Sequence, residues 1–151
     1  GGGAGIQADL KTFQMRGVFG TSVITAVTAQ NTLGVFDIHT IPLQTIQSQL
    51  KAIADDFTIS AFKIGMLGTA EIIECVAEAL KQYHFGMLVL DPVMIAKGGA
   101  PLLQQSAVDF LNTFLLPLAD VITPNLPEAK ALTGVEVIDD QTAQKAAQIL
   151  Q

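Results

Sequence analysis

The sequence predicts an α/β protein with a mostly parallel sheet and helices on both faces. Three observations predict it. Short runs rich in Val, Ile and Leu alternate with stretches whose apolar residues recur at helical spacing. The breaks between them hold turn-forming residues, as in Gly65–Gly68, Asp91-Pro92 and Pro124-Asn125. No internal repeat, low-complexity tract or linker divides the 151 residues, half of which are hydrophobic, so they read as one domain with a real core.

The elements follow in order. Ile6, Leu10 and Phe13 form one helical stripe between the opening glycines and Gly17, a C-cap. Ser22–Ala29, rich in Val, Ile and Thr, reads as a buried strand that Asn31-Thr32-Leu33-Gly34 ends. Val35–Ile41 is a short strand leading to Pro42, which suits a first helical turn. Leu43, Ile46, Leu50 and Ile53 give that helix its inward face. Ala61–Ile64 is the next strand, and Thr69 caps a helix whose first turn carries Glu71 and Glu74, with Ile72, Ile73, Val76 and Leu80 inward. Met87–Leu90 is a strand ending at Asp91-Pro92. After a loop with Gly98-Gly99, Ser106 and Asp109 are spaced as a helix cap. Val121-Ile122 is the last strand, Pro127–Leu132 a short helix stopped by Gly134, and Asp140 or Thr142 begins a final helix.

Composition narrows the function. Fourteen acidic residues against eight Lys and Arg give a formal charge of −6. The basic residues are scattered, which excludes a basic nucleic-acid surface. No stretch approaches the ~18 uninterrupted apolar residues of a membrane span. The single cysteine, Cys75, allows no internal disulfide and no cysteine-based zinc site, and no signal-peptide pattern opens the chain. A cytoplasmic protein is expected. The chain opens at Gly1-Gly2-Gly3 without an initiator Met, and its last helix runs to Gln151 without a C-cap. Both features predict a chain incomplete at its two ends.

Ligands of parallel α/β sheets bind beyond the carboxyl ends of the strands. The residues there are Gln30-Asn31, Gly65-Met66, Asp91-Pro92-Val93 and Thr123-Pro124-Asn125, with the glycines that open the first helix. Gly1–Gly5 lacks the Gly-Lys-Ser/Thr of a P-loop and the third glycine of a dinucleotide fingerprint, so a Rossmann dehydrogenase is a distant reading. A flexible turn, or backbone N–H groups close to a small ligand, remain for that segment. Asp9 sits where its charge suits the helix dipole, as a solvated residue or a ligand-facing one. Gln30 both donates and accepts, as a ring with an amino group and a ring nitrogen requires, or it closes its own loop. Asp91 is placed for a magnesium-linked or phosphate-proximal acid and equally for a turn cap. Asn125 and Glu128 form a capping pair or hold Mg²⁺ through water. Lys97 is a solvated loop lysine within reach of a phosphate; His39 and His84 are structural, and Cys75 is a buried, inert thiol.

Five blocks together are specific. Gly2–Thr12 (GGAGIQADLKT), Ser22–Ala26 (SVITA) with Ala29–Thr32 (AQNT), Lys63–Leu67 (KIGML), Asp91–Met94 with Ala96-Lys97, and Thr123–Ala129 (TPNLPEA) resemble hydroxymethylpyrimidine/phosphomethylpyrimidine kinases, in the family's order. The resemblance implies a ribokinase-like three-layer α/β/α sandwich, truncated here, lacking a first strand and the C-terminal nucleotide-binding portion. It implies ATP-dependent phosphorylation of 4-amino-5-hydroxymethyl-2-methylpyrimidine and then of its monophosphate in thiamine biosynthesis, with Mg²⁺. Carried over by position, Gln30 bonds the pyrimidine, Asp9, Ala4, Met66 and Val93 line the pocket, and Asp91, Asn125 and Glu128 lie toward phosphate and magnesium. No residue here is a direct metal ligand, the catalytic residue is expected outside the chain, and the chain alone is expected to turn over little. The partners implied are the pyrimidine, ATP and, for a complete protein, a second copy in a homodimer. The rivals are a pyridoxal/pyridoxine kinase of the same fold and a non-catalytic pyrimidine-binding module.

Overall fold

The computed structural model describes residues 1–94 and 105–151. The chain runs α1 (Gly5–Met15), β1 (Ala26–Gln30), β2 (Val35–Thr40), α2 (Leu43–Asp56), β3 (Ala61–Ile64), α3 (Ala70–Gln82) and β4 (Met87–Leu90). It continues through α4 (Gln105–Phe110), a π-helical turn Leu111–Leu115, a 3₁₀ turn Leu116–Leu118, β5 (Val121–Ile122), α5 (Leu126–Thr133) and α6 (Asp140–Leu150). This is the α/β architecture expected. No described helix is long and apolar enough to cross a membrane.

The parallel sheet has strand order β3-β4-β5, with Phe62 level with Leu88, and Ile64 with Leu90 and Ile122. Because side chains alternate across a strand, these residues share one face. They belong to one core cluster with Ile46 and Leu50 of α2, Ile72, Ile73 and Val76 of α3, and Leu111 and Leu115 of the π-helical turn. The opposite face carries Lys63 and Val89, both half-buried, with Met87 and Val121 exposed. The core holds the strands in register; the other face carries the one charged side chain of β3, Lys63.

The expected buried strand Ser22–Ala29 is instead the first arm of a hairpin. β1 starts at Ala26 and pairs antiparallel with β2 in a separate two-stranded sheet, register Thr28 to Ile38. The cause lies in Asn31: its side-chain oxygen accepts from the N–H groups of Leu33 and Gly34, and its own N–H donates to the Gly34 carbonyl, folding the chain back at once. β-Branched composition announced a strand but not its partner. Leu43, expected inward, is exposed because it opens the first turn of α2, beyond the core.

Caps fix the helix ends. Thr69 accepts from the Ile72 N–H, as expected. Ser106 and Asp109 lie inside α4 rather than at its cap. α6 is capped by Asp139, whose side chain accepts from the Thr142 N–H while the Thr142 hydroxyl receives the Asp139 N–H. Gly134 ends α5 at φ 72°. Gly86, with φ +74°, admits the chain to β4 so close to β3 that a Cβ there would stand 2.1 Å from the Ser60 carbonyl oxygen.

Candidate substrate site at the carboxyl ends of β3 and β4

The site is built around a lysine. Lys63 alternates with Phe62 and Ile64, so its side chain leaves the core face. Its ammonium lies 3.3 and 3.2 Å from the two carboxylate oxygens of Asp9 and 3.1 Å from one oxygen of Asp91. The three side chains are 28–32 % exposed. Burial opposes the Lys63 charge, but hydrogen bonding and attraction from Asp91 and then Asp9 outweigh it and raise the pKa, keeping the ammonium charged. Asp9 comes from α1 and Asp91 from the end of β4. Asp91 is itself fixed: its N–H donates to the Ile64 carbonyl, extending the ladder, and its carbonyl accepts from the Val93 N–H.

Around this cluster the other sequence-identified residues fall into three groups. Gly1 lies against Gln30, where a Cβ would meet the Gln30 carbonyl oxygen at 3.3 Å. Lys11 holds the turn by donating to the Gly2 carbonyl at 3.0 Å, with Gly2 at φ +79° and Gly5 at φ +63°. Ala4 is the N-cap of α1, and no side chain caps that helix start. Gln30 ends β1 exposed, its amide oxygen 3.4 Å from the Thr28 hydroxyl. Met66 joins the hairpin to β3, its carbonyl accepting from the Thr25 hydroxyl at 3.1 Å. Val93 is half-buried in the segment after Asp91.

The last group follows β5. Asn125 and Glu128 form the capping box weighed from their spacing: Asn125 Oδ1 accepts from the Glu128 N–H at 3.0 Å, and Glu128 Oε2 from the Asn125 N–H at 2.9 Å. Glu128 is only 5 % exposed, and its Oε1 also accepts from the Met94 N–H at 3.4 Å. It thereby staples α5 to the segment after β4. The structure brings Asp9 and Asp91 together through Lys63, and places Gln30 beside the glycine turn. Among the described residues the Gln30 amide bonds to Thr28, not to either aspartate. Lys97 lies outside the described residues.

Sequence reasoning quoted Lys63 in a motif and gave it no role. The available signal was a lysine inside a four-residue strand whose other residues, Ala61, Phe62 and Ile64, are apolar. Cys75 is buried in α3, its thiol directed at the Leu43 carbonyl of α2, and burial pushes its pKa up despite a hydrogen bond with Gln47. Two concavities lie away from this cluster. The groove of ≈ 400 Å³ between α2 and α3 is lined by Lys51 and Glu78, each already paired, with Asp55 and Lys81. A smaller one of ≈ 140 Å³ lies around His84 and Phe85, at the amino end of β4.

A family model for phosphomethylpyrimidine kinase matches residues 1–151, the whole chain. The chain belongs to the phosphomethylpyrimidine kinase family. A hydroxymethylpyrimidine/phosphomethylpyrimidine kinase of Haemophilus influenzae is 74 % identical over 151 residues, 100 % of this chain and 56 % of that protein. A crystal structure of phosphomethylpyrimidine kinase from Clostridium difficile superposes with a TM-score of 0.92 at 46 % identity, covering 99 % of this chain and 67 % of that one. A pyridoxal kinase from Staphylococcus aureus, in complex with pyridoxal, gives a TM-score of 0.87 at 35 % identity, covering 99 % and 55 %. The chain thus spans about half the length of the curated relatives it matches. Its fold is that of these ribokinase-like vitamin kinases.

Proposed function

We propose that the protein is an ATP-dependent kinase of thiamine biosynthesis, and that these 151 residues carry its pyrimidine pocket. It phosphorylates the hydroxymethyl group of 4-amino-5-hydroxymethyl-2-methylpyrimidine and then the monophosphate. The observation that carries this reading is the match of the whole chain to one kinase family. The geometry at the strand ends supports it with groups of the right chemistry.

In this reading the Gln30 amide donates to and accepts from the aminopyrimidine edge, and the glycine turn lets Ala4 approach the ring closely. Asp9, Met66 and Val93 complete the pocket. Asp91 and Asn125 face the phosphates, while Glu128, engaged by backbone N–H groups, holds their segment in place. Mg²⁺ takes few protein oxygens and keeps most of its water, so the Asp91 carboxylate and Asn125 amide fit it. When bound, the ion neutralises phosphate charge during in-line transfer. Among the described residues no three His, Cys, Asp or Glu side chains cluster as a direct metal site. What the chain itself supplies is positioning, which in phosphoryl transfer is most of the catalysis. Cys75, turned toward α2, takes no part. The same reading makes the complete protein a homodimer, which sedimentation of the full-length protein at micromolar concentration tests, and places it in the cytoplasm.

The pyridoxal kinase reading is favoured by one observation, the Staphylococcus aureus superposition. Titration calorimetry with each ring compound separates the two. The pyrimidine should bind more tightly than pyridoxal, and Gln30→Ala should weaken it about tenfold or more, the worth of the two hydrogen bonds lost. Tighter binding of pyridoxal, or no effect of Gln30→Ala, would overturn the assignment.

A further inference from the structure

If phosphates bind at this end of the sheet, as the proposed function has it, Asp9 and Asp91 pose an electrostatic problem, because an anionic ligand approaching them meets like charge. Lys63 addresses it. An ammonium has three N–H donors and no acceptor, and here three carboxylate oxygens surround it at 3.1 to 3.3 Å. A compact point charge suits this bridging of two separate acids better than the planar fork of arginine. The position is awkward for a lysine, in the middle of a short strand whose neighbours Phe62 and Ile64 are in or against the core.

We propose that Lys63 is a specificity-determining residue: by bridging Asp9 and Asp91 it lets a pocket lined by two acids accept a phosphorylated pyrimidine as well as the neutral alcohol. This rests on the pyrimidine kinase reading above. It assigns Lys63 no contact with the reacting atoms. Its effect is on charge, which the neutral and anionic ligands feel differently, whereas loss of a merely structural strut would weaken both alike.

The experiment is calorimetric titration of the chain with 4-amino-5-hydroxymethyl-2-methylpyrimidine and with its monophosphate, at low and at moderate salt. Lys63→Met should lose about tenfold or more in affinity for the monophosphate and under about threefold for the alcohol. The gap should narrow as salt rises. Lys63→Arg, which keeps the charge, should keep the wild-type ratio of the two affinities. Thermal melts identify variants that fold, and Lys63→Gln takes the place of Lys63→Met if the latter does not. Lys51→Met, removing an exposed lysine paired with Asp55 on α2, is the control for net charge and should leave the ratio unchanged. Equal losses for both ligands, no loss for either, or a ratio moved as far by Lys51→Met would overturn the role of Lys63 and leave the kinase reading standing. Failure of the wild-type chain to bind either ligand would overturn both.

Discussion

At the scale of single residues, the candidate site divides by whether a partner is near in sequence. Asn125 and Glu128 are three apart, so a capping box was legible from spacing alone and the structure contains one. The odd placement of Lys63 in an apolar strand was visible, but its pairing was not, because Asp9 lies 54 residues away and only the folded sheet brings them together. Gly86 escaped notice for the same reason: the obstacle to a side chain there is the Ser60 carbonyl of the neighbouring segment. Gly86→Ala would have to hold a left-handed backbone, at a cost of ~1–3 kcal/mol, and also displace the Ser60 peptide. We expect it to lower stability by more than ~2 kcal/mol in urea unfolding, and a loss under ~0.5 kcal/mol would show that β3 and β4 are less tightly joined than described.

Among the elements, the strands of the parallel sheet were the most legible. Ala61–Ile64, Met87–Leu90 and Val121-Ile122 occur with the limits read from the sequence. Each is a short run, apolar but for Lys63, followed within two residues by glycine or proline, and each has a helix to return the chain. The hairpin was read as a buried strand followed by another because its apolar run extends back to Val23 and Ile24, before pairing begins. Those residues are held differently. The Gln49 side chain of α2 accepts from the Ile24 N–H at 2.9 Å and donates to the Ile24 carbonyl at 3.0 Å, doing for that peptide what a neighbouring strand would do. Gln49→Ala should therefore free the hairpin base, costing about 1–2 kcal/mol. Hydrogen exchange at the Ile24 amide should quicken about tenfold while the amides of β4 keep their protection; unchanged exchange at Ile24 would remove Gln49 from this role.

For the whole molecule, the sheet and its covering helices put the core on one face and Lys63, Asp9 and Asp91 at the carboxyl end of the other. That separation follows from strand alternation: Phe62 and Ile64 belong to the core side, Lys63 between them to the candidate site. The rule for parallel sheets directs attention to this end of the sheet, and the motif blocks spread over the chain are what suggest the proposed ligand. What links the blocks, namely Lys63 between two acids, Thr25 to Met66 and Glu128 to Met94, is tertiary and could be read only from the fold. The central claim is that the pyrimidine binds at this end. Amide chemical-shift mapping of the 151-residue chain during titration with 4-amino-5-hydroxymethyl-2-methylpyrimidine tests it most directly. We expect saturable shifts at Gly3, Gln30, Met66 and Val93, with Gln47, Lys51 and Gln82 of the α2–α3 groove unmoved. Shifts confined to that groove, or no saturable shifts at all, would contradict the assignment.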